Sequence, residues 1–229
     1  PAQGMRTFTQ VRKAAQIVRL PFIASRKAIF CSGASRSFSD EKACQGHKRL
    51  LLVYHSRTGL ARQMADALET GARSVAEEMG IPPGMFSIVC KRASEATAAD
   101  VLQAEGYLFC APENLASISG EMKEFFDRSY YSCFESLGTP GDTRYTEVPL
   151  TLGRPFGLAI AAGSDGTGAA RQIERICGGW RLQTVADTLI VRNGLTQTKE
   201  NILAEKTLSE EAEARCKELG GLLAATLLL

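Results

Sequence analysis

Arg49-Leu50-Leu51-Leu52-Val53-Tyr54-His55-Ser56-Arg57-Thr58-Gly59-Leu60-Ala61 is an apolar run that stops at a short turn bearing hydroxyls and a glycine. A helical pattern begins immediately after it. A buried strand feeding a helix N-terminus leaves backbone N–H groups pointing outward without partners, and the helix dipole adds positive potential there. Such a turn is a ready site for phosphate. Ser56 and Thr58 add hydroxyl donors, and Gly59 lets the backbone come close to an anion. The turn His55, Ser56, Arg57, Thr58, Gly59, Leu60, Ala61 is therefore the first candidate binding element.

Downstream of this turn, Leu60, Met64, Leu68 and Val75 recur at helical spacing until Gly80 and Pro82-Pro83 end the helix. Phe86–Cys90 reads as a short strand, and Thr97 with Asp100 reads as the cap of a brief helix through Ala104. Tyr107–Ala111 is a continuous apolar run, as expected of a strand covered on both faces. A loop, Pro112 to Ser119, leads into a helix that buries Met122, Phe125, Phe126 and Tyr130. Residues 132–153, rich in Gly, Pro and Thr, read as irregular. Phe156–Ala162 is the next buried strand; Ala169, Ile173, Ile176, Cys177 and Trp180 share a face of the helix after it. Thr188–Val191 closes the strand set, and a last helix starts near Ser209. Strand and helix alternate five times, which predicts a doubly wound, mostly parallel α/β sheet.

Ligands of such sheets sit beyond the carboxyl ends of the strands, where strand order reverses. Besides the 55–61 turn, two loops leave strand ends with unusual composition. One is Pro112, Glu113, Asn114, Leu115, Ala116, whose carboxylate and amide can reach a polar heterocycle. The other carries Gly163, Ser164, Asp165, Gly166 and Gly168, where backbone can approach a flat ring. Each taken singly is also an ordinary connection or a capped helix start. Together they describe a site for a phosphorylated planar cofactor.

Other chemistries fit less well. The first turn has no Lys for a Walker-type loop, and the spacing of Gly163, Gly166 and Gly168 is not the dinucleotide fingerprint. Cys110 leaves a strand end, but no Arg follows until Arg128, so no cysteine phosphatase loop forms. His55 adjoins Ser56 in sequence, which does not build a proton relay. The seven cysteines contain no Cys-x-x-Cys pair and only two histidines are present, which argues against a disulfide scaffold or a zinc site. Cys90, Cys110, Cys177, Cys216 and Trp180 read as core.

At 229 residues and 45% hydrophobic, the chain can bury one substantial core. Residues 1–38 hold seven basic side chains and no acidic one, with several serines, the composition of an organelle transit peptide. Met5 reads as the true start, and Arg36-Ser37-Phe38-Ser39 resembles a mitochondrial processing site cut between Phe38 and Ser39. The expectation is a mitochondrial protein, with plastid or cytoplasmic location as alternatives and a disordered basic arm as the plain reading of the segment. Residues 39–48 would be a linker and 49–229 the domain. Without residues 1–38 the chain has 20 basic and 25 acidic residues, a balance that argues against nucleic acid as partner. No apolar run is long enough for a membrane span.

The motifs resemble the flavodoxin family, specifically its short FMN proteins of the NAD(P)H-dependent oxidoreductase type. Ser56–Ala61 resembles the family's phosphate loop, Ala111–Arg128 its flavin-ring loop and following helix, and Arg154–Gly166 its fourth strand and second ring loop. The resemblance implies a five-stranded parallel sheet in the order 2-1-3-4-5. It also implies FMN held by the three loops, with His55 near its phosphate or ribityl chain and NAD(P)H as reductant. Two departures stand out: Ala61 replaces the last hydroxyl of the phosphate loop, with Arg57 or Arg62 to compensate, and Leu115 and Ala116 stand where relatives often place an aromatic residue or glycine. The expected function is an FMN-dependent oxidoreductase passing electrons from NAD(P)H to a quinone or other small acceptor. The alternatives are a one-electron FMN carrier serving a redox protein, and a non-catalytic binding protein on the same fold. Residues 132–153 are expected to shape the acceptor site or a homo-oligomer interface, their plain reading being a solvated connection.

Overall fold

The computed structural model describes residues 46–138, 140–142 and 145–229. The targeting segment and its cut site lie outside the described residues. Lys48–Leu229 form one compact unit. Its elements are β1 (Lys48–Tyr54), α1 (Leu60–Glu78), β2 (Phe86–Arg92), α2 (Ala98–Gln103), β3 (Gly106–Asn114), β4 (Ser117–Ile118), α3 (Gly120–Ser129), β5 (Phe134–Leu137), β6 (Thr146–Pro149), β7 (Pro155–Ala162), α4 (Thr167–Gly179), β8 (Gln183–Thr184), β9 (Leu189–Arg192), α5 (Lys199–Leu203) and α6 (Glu210–Leu228).

The sheet runs β2-β1-β3-β7, and both β8 and β9 pair with the outer edge of β7. The five positions of the expected order are thus present, but the fifth strand is interrupted: β8 pairs with Pro155 and Phe156, and β9 with Ala159–Ala162. A further short strand, β4, returns antiparallel on β3. The described sheet therefore has seven strands where five were expected. Its long ladders are parallel, with Leu52 opposite Leu108 and Phe109 opposite Leu158.

Side-chain alternation divides the core into two layers. Leu51, Val53, Phe109, Leu158 and Ile160 face α2, α3 and α4, where Val101, Met122, Phe125, Phe126, Ile173 and Trp180 are buried. Leu50, Leu52, Leu108, Ala159 and Leu189 face α1 and α6, where Met64, Leu68, Cys216, Leu219 and Leu223 are buried. Strands covered on both faces have no use for polar residues, which is why they read as unbroken apolar runs. Trp180 is fully buried, its indole N–H donating to the Tyr130 carbonyl (3.1 Å). Thr97 and Asp100 form the expected reciprocal cap of α2.

Two local expectations are corrected. Residues 132–153 are not wholly irregular: β5 and β6 form a separate two-stranded antiparallel sheet, with Phe134 opposite Pro149. Its base is held by the Leu150 N–H on the Cys133 carbonyl (2.8 Å) and by the Thr151 hydroxyl on the Trp180 carbonyl (2.9 Å). Those are contacts distant in sequence, and composition does not show them. Residues 112–119 are not an open loop either, because β3 continues through Asn114 and folds back as β4.

That hairpin turns on Leu115 and Ala116, both left-handed (φ 53° and 57°). Side chains other than glycine and asparagine pay about 1–2 kcal/mol per residue for this conformation. Leu115 is also fully exposed. The double substitution Leu115→Asn, Ala116→Gly is expected to raise stability by about 1–2 kcal/mol. A thermal melt measures this, and an unchanged midpoint would mean the turn stores no strain.

No helix among the described residues is long and apolar enough to cross a membrane.

Candidate functional site

A cavity of about 470 Å³ opens at the carboxyl ends of β1, β3, β7 and β9. Its floor is the start of α1. That helix begins at Gly59 (φ 87°) with no side-chain cap and no acidic residue in its first turn. Elsewhere Thr97, Thr198 and Ser209 each cap a helix with a side-chain oxygen. Ser56 and Thr58 do not, although both line the cavity. The Ser56 hydroxyl oxygen is buried without a hydrogen-bond partner. An uncapped helix start beside an unused buried hydroxyl is fitted to receive an anion. Arg57, Leu60 and Ala61 complete this wall.

The second wall is the β3–β4 hairpin, contributing Pro112, Glu113, Asn114, Leu115 and Ala116. Glu113 is divided in its bonding: Oε2 accepts the Gly166 N–H (2.8 Å), while Oε1 is buried with no partner. The third wall is the end of β7, with Ala161, Ala162, Gly163 and Ser164.

Five of the residues expected at the site lie outside this lining. Gly166 (φ 85°) starts α4 and fixes Glu113, and a β-carbon there would come within 2.6 Å of Ile190. Gly168 makes room for the hairpin, since a β-carbon would lie 2.2 Å from the Ala116 carbonyl oxygen. Asp165 is exposed and accepts the Thr167 hydroxyl. Their compositional signal is thus structural: the third loop shapes the wall rather than presenting all its residues to the cavity.

His55 and Gly59 belong to a smaller neighbouring cavity of about 250 Å³, shared with Ser56, Arg62, Arg92 and Glu121. His55 Nε2 lies 3.5 Å from Glu121 Oε2, and its Nδ1 is buried unpaired. Burial lowers the pKa of His55; Glu121 opposes the shift, and Arg57 and Arg92 add to it. Arg62 lines this smaller cavity rather than the main one, donating to Asp66 (2.9 Å) and to the Tyr54 hydroxyl. It is therefore occupied, and of the two arginines expected to compensate for Ala61 only Arg57 lines the main cavity.

The fourth wall is absent from the sequence reading. Asn193, Gln197, Ile202, Leu203 and Lys206 all line the cavity. They follow β9, so the rule placing ligands beyond strand ends extends to them. Helix α5 itself has five residues and buries none, too short and too exposed for periodicity to mark it. Ile202 and Leu203 are 51% and 65% exposed at the cavity mouth. The apolar lining is aliphatic: Leu60, Leu115, Ile202 and Leu203. The ionisable residues of the lining are Arg57, Glu113 and Lys206.

Residues 55–196 match the family described as NADPH-dependent FMN reductase. A flavodoxin of Aquifex aeolicus is 35% identical over 79 residues, 34% of this chain and 38% of that protein. An NAD(P)H dehydrogenase (quinone) of Acidithiobacillus ferrooxidans is 31% identical over 93 residues, 35% of this chain and 46% of that protein. The matched regions thus span less than half the length of these curated relatives. Among solved structures, a flavodoxin from the domain Archaea superposes with a TM-score of 0.55 at 14% identity, covering 78% of this chain and 98% of that one. The fold is flavodoxin-like.

Proposed function

The chain belongs to the NADPH-dependent FMN reductase family, and from that premise we propose that it is an FMN-dependent oxidoreductase that draws on NAD(P)H and reduces a quinone or another small acceptor. One observation carries the reading: a single cavity joins an uncapped helix start, with the unpartnered Ser56 hydroxyl, to two strand-end walls, one of which carries the unpartnered Glu113 Oε1. Its volume of about 470 Å³ lies in the range of cofactor sites.

The residues fit FMN from end to end. The α1 start, with the Ser56 and Thr58 hydroxyls, would hold the phosphate. The hairpin and the Ala162–Ser164 wall would flank the ring, with Glu113 Oε1 as the acceptor for a ring N–H. Gly166 holds Glu113 by its other oxygen, so that acceptor is fixed before any ligand arrives. When bound, FMN supplies the hydride- and electron-accepting chemistry. The protein's part is to orient the ligand and to surround it with fixed dipoles. His55 lies outside the main lining, so no proton-transfer role is given to it.

The aliphatic mouth formed by Leu115, Ile202 and Leu203 supports a flat, weakly polar acceptor over a charged one. It also supports turnover over one-electron carriage, because no stacked aromatic would hold the ring among these residues.

Purified protein titrated with FMN is expected to bind it stoichiometrically and then oxidise NADPH or NADH in the presence of a quinone. Uptake of FMN without NAD(P)H oxidation would make the protein a carrier. Failure to take up FMN would overturn the whole reading.

A further inference from the structure

Lys206 stands on the connection between α5 and α6, and it is 9% exposed. Its ammonium donates to the Ile202 and Ala204 carbonyls, each at 3.0 Å. An ammonium has three N–H donors, so one remains unspent. More telling is the charge. Neither carbonyl is ionised, and no carboxylate among the described residues reaches Lys206 within ion-pair distance. A buried cation without a counter-charge is costly, and the cost is recovered when an anion arrives.

The backbone of Lys206 is tied to the phosphate-type turn. Its N–H donates to the Thr58 carbonyl (2.8 Å). Gln63, in the first turns of α1, clamps the same segment on both sides: Nε2 donates to the Lys206 carbonyl (2.7 Å) and Oε1 accepts the Leu208 N–H (2.9 Å). A lysine that lines the cavity thus starts one hydrogen bond away from the uncapped helix start. Ala61 leaves that start short of a hydroxyl and Arg62 is engaged elsewhere, so the cations that line the cavity are the exposed Arg57 and the buried Lys206.

We propose that Lys206 is the counter-charge for the phosphate of the bound flavin nucleotide, and that it makes the site specific for FMN over riboflavin. This rests on the FMN reading above. Helix α5 and its C-terminal Ala204 hold the ammonium, on a backbone bonded to Thr58, until the phosphate binds and takes its unspent donor. Charge-assisted hydrogen bonds of this kind are worth a factor of roughly 10 to 100 in affinity.

The test compares FMN and riboflavin binding, followed by quenching of flavin fluorescence, in the wild type and in Lys206→Met and Lys206→Arg. The wild type is expected to favour FMN. Lys206→Met is expected to lose roughly 10- to 100-fold in FMN affinity with riboflavin affinity unchanged, and Lys206→Arg to keep most of the preference. A role confined to capping α5 would weaken both flavins equally, and that result overturns the proposal. If Lys206→Met unfolds, Lys206→Gln keeps one donor for α5 without the charge, and a retained FMN preference there overturns it as well. Wild-type binding of FMN with an unchanged ratio in the variants removes Lys206 alone. A wild type that binds neither flavin removes the FMN reading and the proposal with it.

Discussion

Thr58→Asp is expected to cost about a thousandfold in FMN affinity while leaving the fold intact. Thr58 lines the cavity at the start of α1, half-buried, with its carbonyl already engaged by the Lys206 N–H. A carboxylate there would face the ligand's phosphate. Two like charges about 4 Å apart repel by roughly 4 kcal/mol at an effective dielectric of about 20, close to three decades in binding. The same carboxylate would also satisfy N–H groups of α1 that now lack a cap, which stabilises helix starts by about 1 kcal/mol. The two readouts therefore move apart: the melting temperature of the ligand-free variant holds or rises, and FMN titration shows no binding in the micromolar range. Thr58→Val, which removes only the hydroxyl, serves as control with about a tenfold loss. Wild-type affinity in Thr58→Asp would show that the phosphate does not sit at this turn.

Gly71→Ala is expected to destabilise the protein by about 2–3 kcal/mol, although alanine is the better helix former. The crossing of α1 and α6 is built on backbone contact. A β-carbon on Gly71 would lie 1.9 Å from the Lys217 carbonyl oxygen, and one on Gly220 would lie 2.0 Å from that of Leu68. These are rigid atoms, so the helices must separate. Separation loosens the layer that buries Met64, Leu68, Leu219 and Leu223. Overpacking of this kind costs about 1–3 kcal/mol or more. The helix-propensity gain of about 1 kcal/mol offsets only part of a clash this close. For a domain of this size each kcal/mol moves the melting temperature by about 2–4 °C, so a fall of roughly 4–12 °C is expected. FMN binding should weaken in parallel, because Gln63 joins α1 to the segment that carries Lys206. Thr70→Ala, one residue away on the exposed face, should change little. A Gly71→Ala variant that melts at or above the wild-type temperature would refute the close crossing.

The two substitutions mark where the sequence was readable. The turn at 56–61 could be recognised because its signal is local: an apolar run, hydroxyls, a glycine and a helical period stand next to one another. The glycines at 71 and 220 lie inside helical patterns, and nothing local distinguishes a close-packing glycine from a poor helix former. The Gly-rich third loop was visible as a wall, yet Gly166 and Gly168 proved to serve neighbouring backbone and side chains rather than the cavity. His55 adjoins the turn in sequence but falls into the smaller cavity, since adjacent residues at a strand end point in different directions.

From its sequence alone this chain determined the strand and helix order, the doubly wound class and the turn that opens toward an anion. Each of these rests on periodicity or on interactions within a few residues. Only the tertiary structure decided that the connection after the last strand closes the cavity, that Arg62 is engaged elsewhere, and that Lys206 is buried beside Thr58. The first and last of these join residues more than a hundred positions apart, the second depends on how β1 and α1 pack to bring Tyr54 against Arg62, and a buried charge is indistinguishable in sequence from a solvated one until the fold removes its water.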